Sequence, residues 1–248
     1  AQPHTNRRLV VNLDLKNFFP TVRYERVWGQ FKALGYSKAI STILALLCTE
    51  PEVAQVSLDQ RTWHVARSER FLPQGAPTSP ALTNIICRRL DRKLATLAER
   101  TGFTYTRYAD DLTFSSNDDS PAQVGKLLRR VRFLVDQEGF VVHPDKTRVF
   151  RRGRRQEVTG LTVNDKLGVE RATLRRFRAL LFQLEKDGPE GKQWGQSEDV
   201  LAAVVGYANF VYMVDPKKGA PLKQRAKAIW ERYAADRPAP SAASTRPS

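Results

Sequence analysis

A segment with two adjacent aspartates constrains the fold more than any other part of the sequence. Residues 103–115, FTYTRYADDLTFS, alternate between apolar and polar side chains on both sides of Asp110 and Asp111. Alternation with a period of two is typical of β-strands that have one buried face. The segment therefore predicts two strands joined by a tight turn, with both carboxylates at its tip. Because adjacent carboxylates repel each other, such a site makes physical sense chiefly where cations neutralise them.

A second pair of adjacent aspartates shows that the pair alone decides little. With 14 Asp in 248 residues, about one such pair is expected by chance, so a short match of this kind carries a high false-positive risk. Asp118 and Asp119 lie in the polar stretch SNDDSP, which is typical of a solvated turn before a helix. Asp110 and Asp111 differ because strand-like segments flank them on both sides. The flanking segments, and not the pair itself, indicate a site.

A third carboxylate follows another strand-like segment. The apolar run LVVNL at residues 9–13 is rich in β-branched residues, as expected for a strand buried on both faces, and it ends at Asp14. If this strand and the hairpin are neighbours in one sheet, Asp14, Asp110 and Asp111 converge. Three oxygen donors of this kind suit two Mg²⁺ ions roughly 3.5 to 4 Å apart in phosphoryl transfer. Spacing alone leaves open whether the strands are neighbours.

Strand and helix patterns alternate along the rest of the chain, and its C-terminal part is helical, so an α+β fold is expected. The helix expected after Ser37 has one apolar face, which predicts that it is buried. That face comprises Ile40, Ile43, Leu44 and Leu47. The other expected elements are a hairpin within residues 53–71, a long helix from Ser79 to Gly102, a helix from Ser120 to Gly139, strands at 140–142, 148–150 and 158–163, and three helices after Val169.

Basic residues outnumber acidic residues by 41 to 26, which gives a formal net charge of +15. A surplus of this size favours a polyanionic partner, with nucleic acid the leading candidate and an anionic membrane surface the second. The densest part of the surplus, residues 148–178, holds ten basic and three acidic side chains. A solvated charged face is the simpler alternative for any such run taken alone.

Several other classes of protein are disfavoured. No apolar run approaches the roughly 18 residues of a membrane helix, and the polar start AQPHTNRR is not typical of a signal peptide. A cytoplasmic protein without a membrane partner is therefore expected. Cys48 and Cys87 lie in helical patterns and are interpreted as core residues rather than as a disulfide or a zinc site. The histidines His4, His64 and His143 lack the spacing of metal ligands.

Five segments together resemble the palm motifs of reverse transcriptases and occur in the family's order. They are NLDLKNFFP at residues 12–20, LPQGAPTSPALTN at 72–84, RYADDLTFS at 107–115, HPDKT at 143–147 and VTGLTVN at 158–164. The YADD box is the most diagnostic of them. VTGLTVN resembles the retron-type bacterial enzymes, and the opening AQPH is similar to the end of their NAxxH element.

The resemblance implies a right-hand polymerase fold and a division of the chain. An α+β palm with an antiparallel sheet is implied over residues 1–165, with part of the fingers at about 27–74 and a primer grip at 158–164. An α-helical thumb is implied over 166–235 by position and pattern alone, and a disordered tail rich in Pro, Ala and Ser is expected over 236–248. Because AQPH matches only the end of the retron element, the chain is expected to lack the N-terminal fingers strands.

The resemblance also implies a catalytic set. Asp14, Asp110 and Asp111, with the backbone carbonyl of Leu15, would bind two Mg²⁺ ions, for which Mn²⁺ can substitute. Lys146 in HPDKT would act as the general acid for pyrophosphate. A solvated surface lysine is the alternative for Lys146.

Other matched residues would contact the nucleotide, the template or the primer. Phe19 would crowd the 2′-carbon of the nucleotide and favour dNTPs, and it can also be a core aromatic. Gln74 and Gly75 would touch the template and the nascent base pair, unless Gly75 and Pro77 merely shape a turn. Tyr108 would lie against the primer end.

The last matched segment and its flanks would hold RNA. Thr159, Gly160 and Leu161 fall on the primer grip, which the retron resemblance links to recognition of the enzyme's own structured RNA. Two arginine clusters flank this element and would track phosphates without reading sequence. They comprise Arg151, Arg152, Arg154 and Arg155 before it, and Arg171, Arg175 and Arg178 on one face of the first thumb helix.

The implied reaction is synthesis of DNA from dNTPs on an RNA template. For a retron, the resemblance implies a structured noncoding RNA, a branched RNA-linked single-stranded DNA product, an effector protein and a role in anti-phage defence. A separate N-terminal fingers segment would be a further partner. The alternatives are another bacterial reverse transcriptase, from a group II intron, a CRISPR array or an abortive-infection system, and a non-catalytic RNA-binding module. A pure binder has no reason to keep mutually repelling carboxylates, which argues against the module.

Overall fold

The computed structural model describes residues 1–233, and the tail expected at 236–248 lies outside them. The described residues form two compact units. The units comprise Ala1 with Pro3–Thr159, and Gln2 with the residues from Gly160 onward.

The first unit mixes strands and helices, which confirms the predicted α+β class. Its strands are β1 (Leu9–Asp14), β2 (Val53–Leu58), β3 (Arg61–Ala66), β4 (Thr104–Tyr108), β5 (Asp111–Ser116), β6 (Arg148–Arg151) and β7 (Glu157–Val158). Its helices are α1 (Phe18–Thr21), α2 (Tyr24–Ala33), α3 (Lys38–Cys48), α4 (Ser79–Ile86), α5 (Arg88–Arg100) and α6 (Pro121–Gln137). Ser37 and Ser120 cap α3 and α6, because each hydroxyl accepts a hydrogen bond from an otherwise unpaired N–H of the first turn.

An antiparallel sheet with the strand order β4-β5-β1-β6 forms the centre of this unit. Strand β1 lies between β5 and β6, and Leu9, Val10 and Val11 are fully buried. The expectation of a strand buried on both faces is therefore confirmed. Successive side chains of a strand point to opposite faces. Leu9, Val11 and Leu13 belong to the main core on one face, so Val10 and Asp14 point to the other.

Helices α5 and α6 pack on the core face of the sheet. Each helix buries one apolar stripe, as its period of about 3.6 residues requires. The buried side chains are Leu90, Leu94, Leu97, Val124, Leu127, Val131 and Val135. A fully buried Leu or Val stabilises the fold by roughly 1.5 to 3 kcal/mol. This packing therefore anchors the strands that carry Asp14 and Asp111.

The apolar face predicted for α3 is wrong. Ile40, Ile43 and Leu47 are 45%, 53% and 77% exposed, whereas the fully buried residues of the helix are Ser41 and Ala45. Helix α3 packs against α2. Small side chains at the contact let two helix axes approach closely, and the larger residues of α3 then point to solvent.

The hairpin predicted within residues 53–71 is present as β2 and β3, which pair along their whole length. Asp59 and Gln60 form its two-residue turn with φ of 52° and 61°. A two-residue hairpin turn of type I′ requires positive φ at both positions.

The long helix predicted from Ser79 to Gly102 is wrong, because two helices occupy the segment. Helix α4 ends at Ile86 and α5 begins at Arg88. Cys87 lies between them with φ −80° and ψ −1°. A helical residue has a ψ of about −42°, so the helix is distorted at Cys87, although the Cys87 N–H still donates to the Thr83 carbonyl and the Cys87 carbonyl still accepts from the Asp91 N–H, both at 2.8 Å.

Two short strands predicted near the end of the first unit are not continuous. Residues 140–142 contribute only a bridge between Val142 and Leu15. Residues 158–163 are interrupted at Thr159 and Gly160, whose φ values of 48° and 79° lie in the left-handed region. A strand cannot continue through that conformation. The strand predicted at 148–150 is present as β6.

The second unit contains the predicted C-terminal helices. Its elements are β8 (Leu161–Thr162), α7 (Arg171–Asp187), α8 (Val200–Val214) and α9 (Pro216–Tyr233). Their apolar stripes form one core, in which the rings of Phe177, Trp194 and Tyr207 pack with centroids 4.7 to 5.0 Å apart. Within residues 1–233, no helix combines the length and the apolar character needed to cross a bilayer.

Candidate active site

Strand pairing brings Asp14 beside Asp111. Strands β1 and β5 are antiparallel, and their register pairs Asp14 with Asp111 at the end of the ladder. Residues directly opposite in such a pair project from the same face of the sheet. The backbone N–H of Leu15 donates to the carbonyl of Asp110 at 3.0 Å. The hairpin tip and the end of β1 therefore form one continuous edge that carries all three carboxylates.

The turn between β4 and β5 is strained and presents an exposed aromatic ring. Ala109 has φ 51°, a left-handed conformation that costs roughly 1 kcal/mol or more in a residue with a Cβ atom. Tyr108 precedes it and is 70% exposed. Strained backbone conformations cluster at active sites and ligand-binding turns, so the turn is a candidate for such a site.

The three carboxylates are close enough to influence one another. Burial raises the pKa of Asp111 above its ordinary value, and the charges of Asp110 and Asp14 raise it further, while Lys146 opposes them. A raised pKa means that the ionised form of the carboxyl group is disfavoured. A cation bound at this edge would relieve that repulsion.

Lys146 supplies the counter-charge to Asp14. Its Nζ lies 3.1 Å from Oδ1 and 3.3 Å from Oδ2 of Asp14. In the same HPDKT segment, the backbone N–H of His143 donates to the Asp14 carbonyl at 2.7 Å. The segment is therefore fastened to the end of β1, although Lys146 follows Asp14 by 132 positions.

The donor set at this edge fits hard divalent cations. Asp14, Asp110 and Asp111 and the carbonyl of Leu15 offer only oxygen ligands, which Mg²⁺ prefers. Across residues 1–233, no three His, Cys, Asp or Glu side chains are grouped to hold a metal ion as they stand. Asp14 is instead ion-paired with Lys146. The residues thus fit Mg²⁺ by the chemistry of their donor atoms and by strand register.

A cleft of about 340 Å³ opens beside the carboxylates. Its walls come from the NLDLKNFFP and HPDKT segments and from Gln74. Phe19 lines this cleft and also packs edge to face on the buried Phe18, with 5.3 Å between ring centroids. Gly75 lies next to the cleft residue Gln74 with φ +96°, and a Cβ atom there would meet nothing within 4 Å. This position therefore favours glycine because of its backbone conformation and not because space is short.

Arg107 supports the acidic turn, a role that was not predicted from the sequence. Its Nη1 donates to the Ala109 carbonyl at 3.1 Å, and its Nε and Nη2 donate to the two carboxylate oxygens of Asp91. Tyr105 donates its hydroxyl to the same Asp91. Arg107 follows Tyr105 by two positions on the core-facing side of β4. A charged residue at a core-facing position needs a partner. The even spacing of Arg107 from Tyr105 in the strand is the sequence feature that could have indicated this role.

His4 is a structural histidine on the polar face of the sheet. It is fully buried in a 3₁₀ turn, with Nδ1 2.7 Å from Ser115 Oγ and Nε2 2.8 Å from Thr106 Oγ1. Burial lowers the pKa of its imidazole to about 4, and the positive charges of the Ala1 amine and of Arg7 lower it further. The ring is therefore neutral near pH 7 and joins β4 and β5 through their hydroxyls.

The segment predicted as the primer grip is largely exposed. Thr159 and Gly160 are exposed, and Leu161 is half-buried at the start of β8. The arginines that precede it in the first unit are also exposed. They are Arg151, Arg152, Arg154 and Arg155, and Arg155 forms an ion pair with Glu157.

The arginines predicted on the first C-terminal helix share its exposed side. Arg171, Arg175 and Arg178 are exposed on α7, whereas Leu174 and Phe177 are buried in the core of the second unit. Three guanidinium groups therefore form a row that is available to a polyanion.

Comparison with known proteins places these features in a family. The family model described as reverse transcriptase (RNA-dependent DNA polymerase) matches residues 1–170. The Retron Mx65 reverse transcriptase of Myxococcus xanthus is 47% identical over 234 residues, which cover 92% of this chain and 51% of that protein. The Retron Mx162 reverse transcriptase of the same organism is 45% identical over 233 residues, covering 88% and 47%.

A third relative is more distant. The Retron Ec86 reverse transcriptase of Escherichia coli is 32% identical over 218 residues, covering 88% of this chain and 59% of that protein. The chain therefore spans between 47% and 59% of the length of these three relatives.

A solved structure shares the fold. Telomerase from Candida albicans, in complex with a fragment of telomeric RNA, matches with a TM-score of 0.50 at 13% identity, covering 87% of this chain and 40% of that one. At this identity the likeness concerns the fold alone, and it agrees with the predicted polymerase architecture. Since the family model also covers well over half of the chain, the protein belongs to the reverse transcriptase family of RNA-dependent DNA polymerases.

Proposed function

We propose that the chain contains the palm and thumb of a retron reverse transcriptase, which copies its own structured noncoding RNA into DNA. The observation that carries this proposal is the register of Asp14 with Asp111, with Asp110 adjacent in the turn. A protein that only bound RNA would gain nothing from three carboxylates where a polyanion must approach. An enzyme that binds cations there does gain from them.

The carboxylates have a defined task in this proposal. Asp14, Asp110 and Asp111, with the carbonyl of Leu15, hold two Mg²⁺ ions, or Mn²⁺ in their place. When bound, the ions supply activation of the primer hydroxyl and neutralise charge on the triphosphate and the departing pyrophosphate. To take this role, Asp14 gives up its ion pair with Lys146.

Residues around the cleft position the reactants. The exposed ring of Tyr108 lies against the primer end, and Gln74 and Gly75 contact the template and the new base pair. Phe19, in the cleft wall, crowds the 2′-carbon of the nucleotide and so favours dNTPs. Lys146, once released from Asp14, donates a proton to the pyrophosphate leaving group.

The chain is divided accordingly. The palm covers residues 1–165, with part of the fingers at about 27–74 and the primer grip at 158–164, and the thumb covers 166–235. The exposed arginines on both sides of the grip hold the sugar-phosphate backbone of the RNA and of the product, without reading sequence.

The retron assignment adds a product and a setting. A guanosine 2′-hydroxyl in the RNA serves as the primer, so the product is branched, RNA-linked single-stranded DNA, made in the cytoplasm. An effector protein partner and a role in anti-phage defence follow from the same assignment. Its support is the similarity to relatives named as retron enzymes.

Primer extension tests the polymerase proposal. The protein is incubated with an RNA template, a DNA primer, dNTPs and Mg²⁺, beside the variant D110A/D111A. The chain offers a matched control in the exposed second pair, as D118A/D119A. We expect extension by the wild type and the control and none by the first variant. Equal extension by D110A/D111A, or none by the wild type, contradicts the proposal. RNA binding without extension by the wild type supports the non-catalytic module instead.

Analysis of the nucleic acid bound to the protein in cells tests the retron assignment. We expect a DNA strand joined to RNA through a 2′,5′ linkage, which a debranching nuclease separates into two species. Only linear nucleic acid, together with normal primer extension, would point to another class of bacterial reverse transcriptase.

A further inference from the structure

A groove runs between the outer surfaces of α5 and α6. Its volume is about 640 Å³, and we call it the back groove. The walls are mainly basic and apolar, and include Arg89, Arg92, Lys93, Arg100, Arg130 and Phe133.

The back groove lies on the side of the sheet opposite the carboxylates. Leu13 points into the core beneath α5 and α6, so the next residue, Asp14, points away from these helices. Asp111 is paired with Asp14 and shares its face. A segment of nucleic acid that occupies the catalytic cleft therefore does not also cover the back groove.

The charges of the groove divide into two groups. Arg89 and Lys93 are ion-paired with Glu138, with Nε and Nζ lying 3.1 and 2.6 Å from its Oε1. The other basic residues, Arg92, Arg100 and Arg130, are exposed. Their side chains make no hydrogen bond or ion pair with any residue in the described part of the chain, 1–233. Three guanidinium groups thus remain without a counter-charge along one groove.

An exposed aromatic ring lies among these arginines. Phe133 is 60% exposed, although burial of a phenylalanine side chain stabilises a folded protein. It follows Arg130 by three positions on α6, so the two side chains are neighbours on one helix face. Basic grooves with exposed rings are the usual surface for single-stranded nucleic acid, because phosphates meet the cations while bases stack on the rings.

We propose that the back groove binds a single-stranded segment of RNA, with phosphates on Arg92, Arg100 and Arg130 and a base stacked on Phe133. The proposal rests on the proposed function for the presence of an RNA partner. It assigns that RNA a second contact, outside the catalytic cleft, through which an unpaired loop is held while another part is copied. The free charges in the groove are all positive, as a phosphodiester chain requires.

Binding of fluorescent oligouridylate of roughly 12 nucleotides, titrated at several salt concentrations, tests the proposal. Loss of three phosphate contacts in R92Q/R100Q/R130Q should lower the slope of log affinity against log salt by about 2. The matched control R88Q/R129Q/R132Q removes the same number of charges from exposed positions on the same two helices, outside the groove lining. It should keep the wild-type slope. F133L should weaken binding roughly fivefold or more through lost stacking.

Photo-cross-linking locates the contact. We expect a cross-linked α6 peptide in the wild type that is lost in F133L. Equal effects of the two triple variants would overturn the proposal, as would cross-links confined to other elements. The proposal would also fail if an acidic amphipathic peptide bound the groove, lost this binding in R92Q/R100Q/R130Q and was not displaced by RNA.

Primer extension on a short linear template separates this test from the proposed function, because the groove variant should extend normally. If the wild type does not extend, the proposed function fails while the binding result still stands.

Discussion

Arg107 and Asp91 join the acidic turn to helix α5. The guanidinium donates to both carboxylate oxygens at 2.7 and 2.6 Å, and its third nitrogen donates to the Ala109 carbonyl, one residue before Asp110. The Arg107 side chain is only 6% exposed. A buried side chain therefore supports the turn that carries the carboxylates, in addition to the backbone pairing of Tyr108 with Asp111.

Replacement of Arg107 by lysine should impair turnover more than substrate binding. Lysine keeps the positive charge but cannot donate to both oxygens of Asp91 and to the Ala109 carbonyl as the planar guanidinium does. The turn then loses its support while the cleft walls stay in place. We expect kcat for extension to fall at least tenfold with KM for dNTP changed by less than threefold. Unfolding in urea should show a loss of about 2 kcal/mol, because Asp91 loses a well-oriented buried partner.

Arg225 provides the control for this substitution. It forms the same two-pronged pair with Glu185, at 2.7 Å for both contacts, but the side chains are 35% and 38% exposed. An exposed pair contributes about 1 kcal/mol or less, so R225K should be nearly neutral. Equal losses of stability in R107K and R225K, or an effect of R107K on KM alone, would contradict the positioning role.

Neutralising Asp111 should stabilise the metal-free protein while it removes activity. The raised pKa of Asp111 means that its ionised form is less favourable in the folded protein than in the unfolded chain. In EDTA, D111N should therefore unfold about 1 to 2 °C higher than the wild type. Addition of Mg²⁺ should raise the unfolding temperature of the wild type and have little effect on D111N.

The exposed Asp119 serves as the comparison for Asp111. D119N removes the same charge from a solvated turn and should respond to Mg²⁺ as the wild type does. If Mg²⁺ stabilised D111N as much as the wild type, the three carboxylates would not be the metal ligands. Thermal unfolding followed by circular dichroism gives both readouts.

His4 should make the fold sensitive to acid. Its pKa is lowered from 6.5 to about 4 in the folded protein, so the unfolded chain takes up a proton first as the pH falls. Stability is then complete above pH 6.5 and declines between about pH 6.5 and 4, by up to roughly 3 kcal/mol. H4Q should flatten the stability profile over that window, whereas H64Q, on the exposed strand β3, should leave it unchanged. Urea unfolding at several pH values measures this, and parallel profiles for H4Q and the wild type would refute the assignment.

Local patterns predicted the parts of the fold that depend on neighbours in sequence. Alternation around Asp110 and the apolar run before Asp14 correctly indicated three strands, β4, β5 and β1, because strand side chains alternate between faces. The register that joins Asp14 to Asp111, and the contact of Arg107 with Asp91, depend on which elements meet in space. Neither is encoded in any local window.

Helix α3 shows why periodicity alone can assign the wrong face. Both its large apolar residues and its small residues recur at helical spacing, and the contact with α2 buries the small ones. Substitutions should report this directly. A45L should destabilise the protein by about 1 to 3 kcal/mol through overpacking, whereas L47S, at a position that is 77% exposed, should change the free energy of unfolding by about 0.5 kcal/mol or less. If L47S destabilised the protein more than A45L does, the buried face of α3 would be the one that the sequence pattern predicts.

Two glycines of the second unit should respond in opposite directions to alanine. A Cβ atom on Gly219 in α9 would lie 2.8 Å from the Val211 carbonyl carbon and closer still to the backbone of Tyr212 in α8. Backbone atoms cannot move aside as a flexible side chain can, so G219A should cost about 3 kcal/mol or more. Gly206, in the middle of α8, has nothing within 4 Å of the same position, and G206A should stabilise the helix by up to about 1 kcal/mol. Urea unfolding of the two variants measures both effects. Because α8 and α9 form the core with α7, G219A should also weaken RNA binding through the arginine row of α7, and G206A should not.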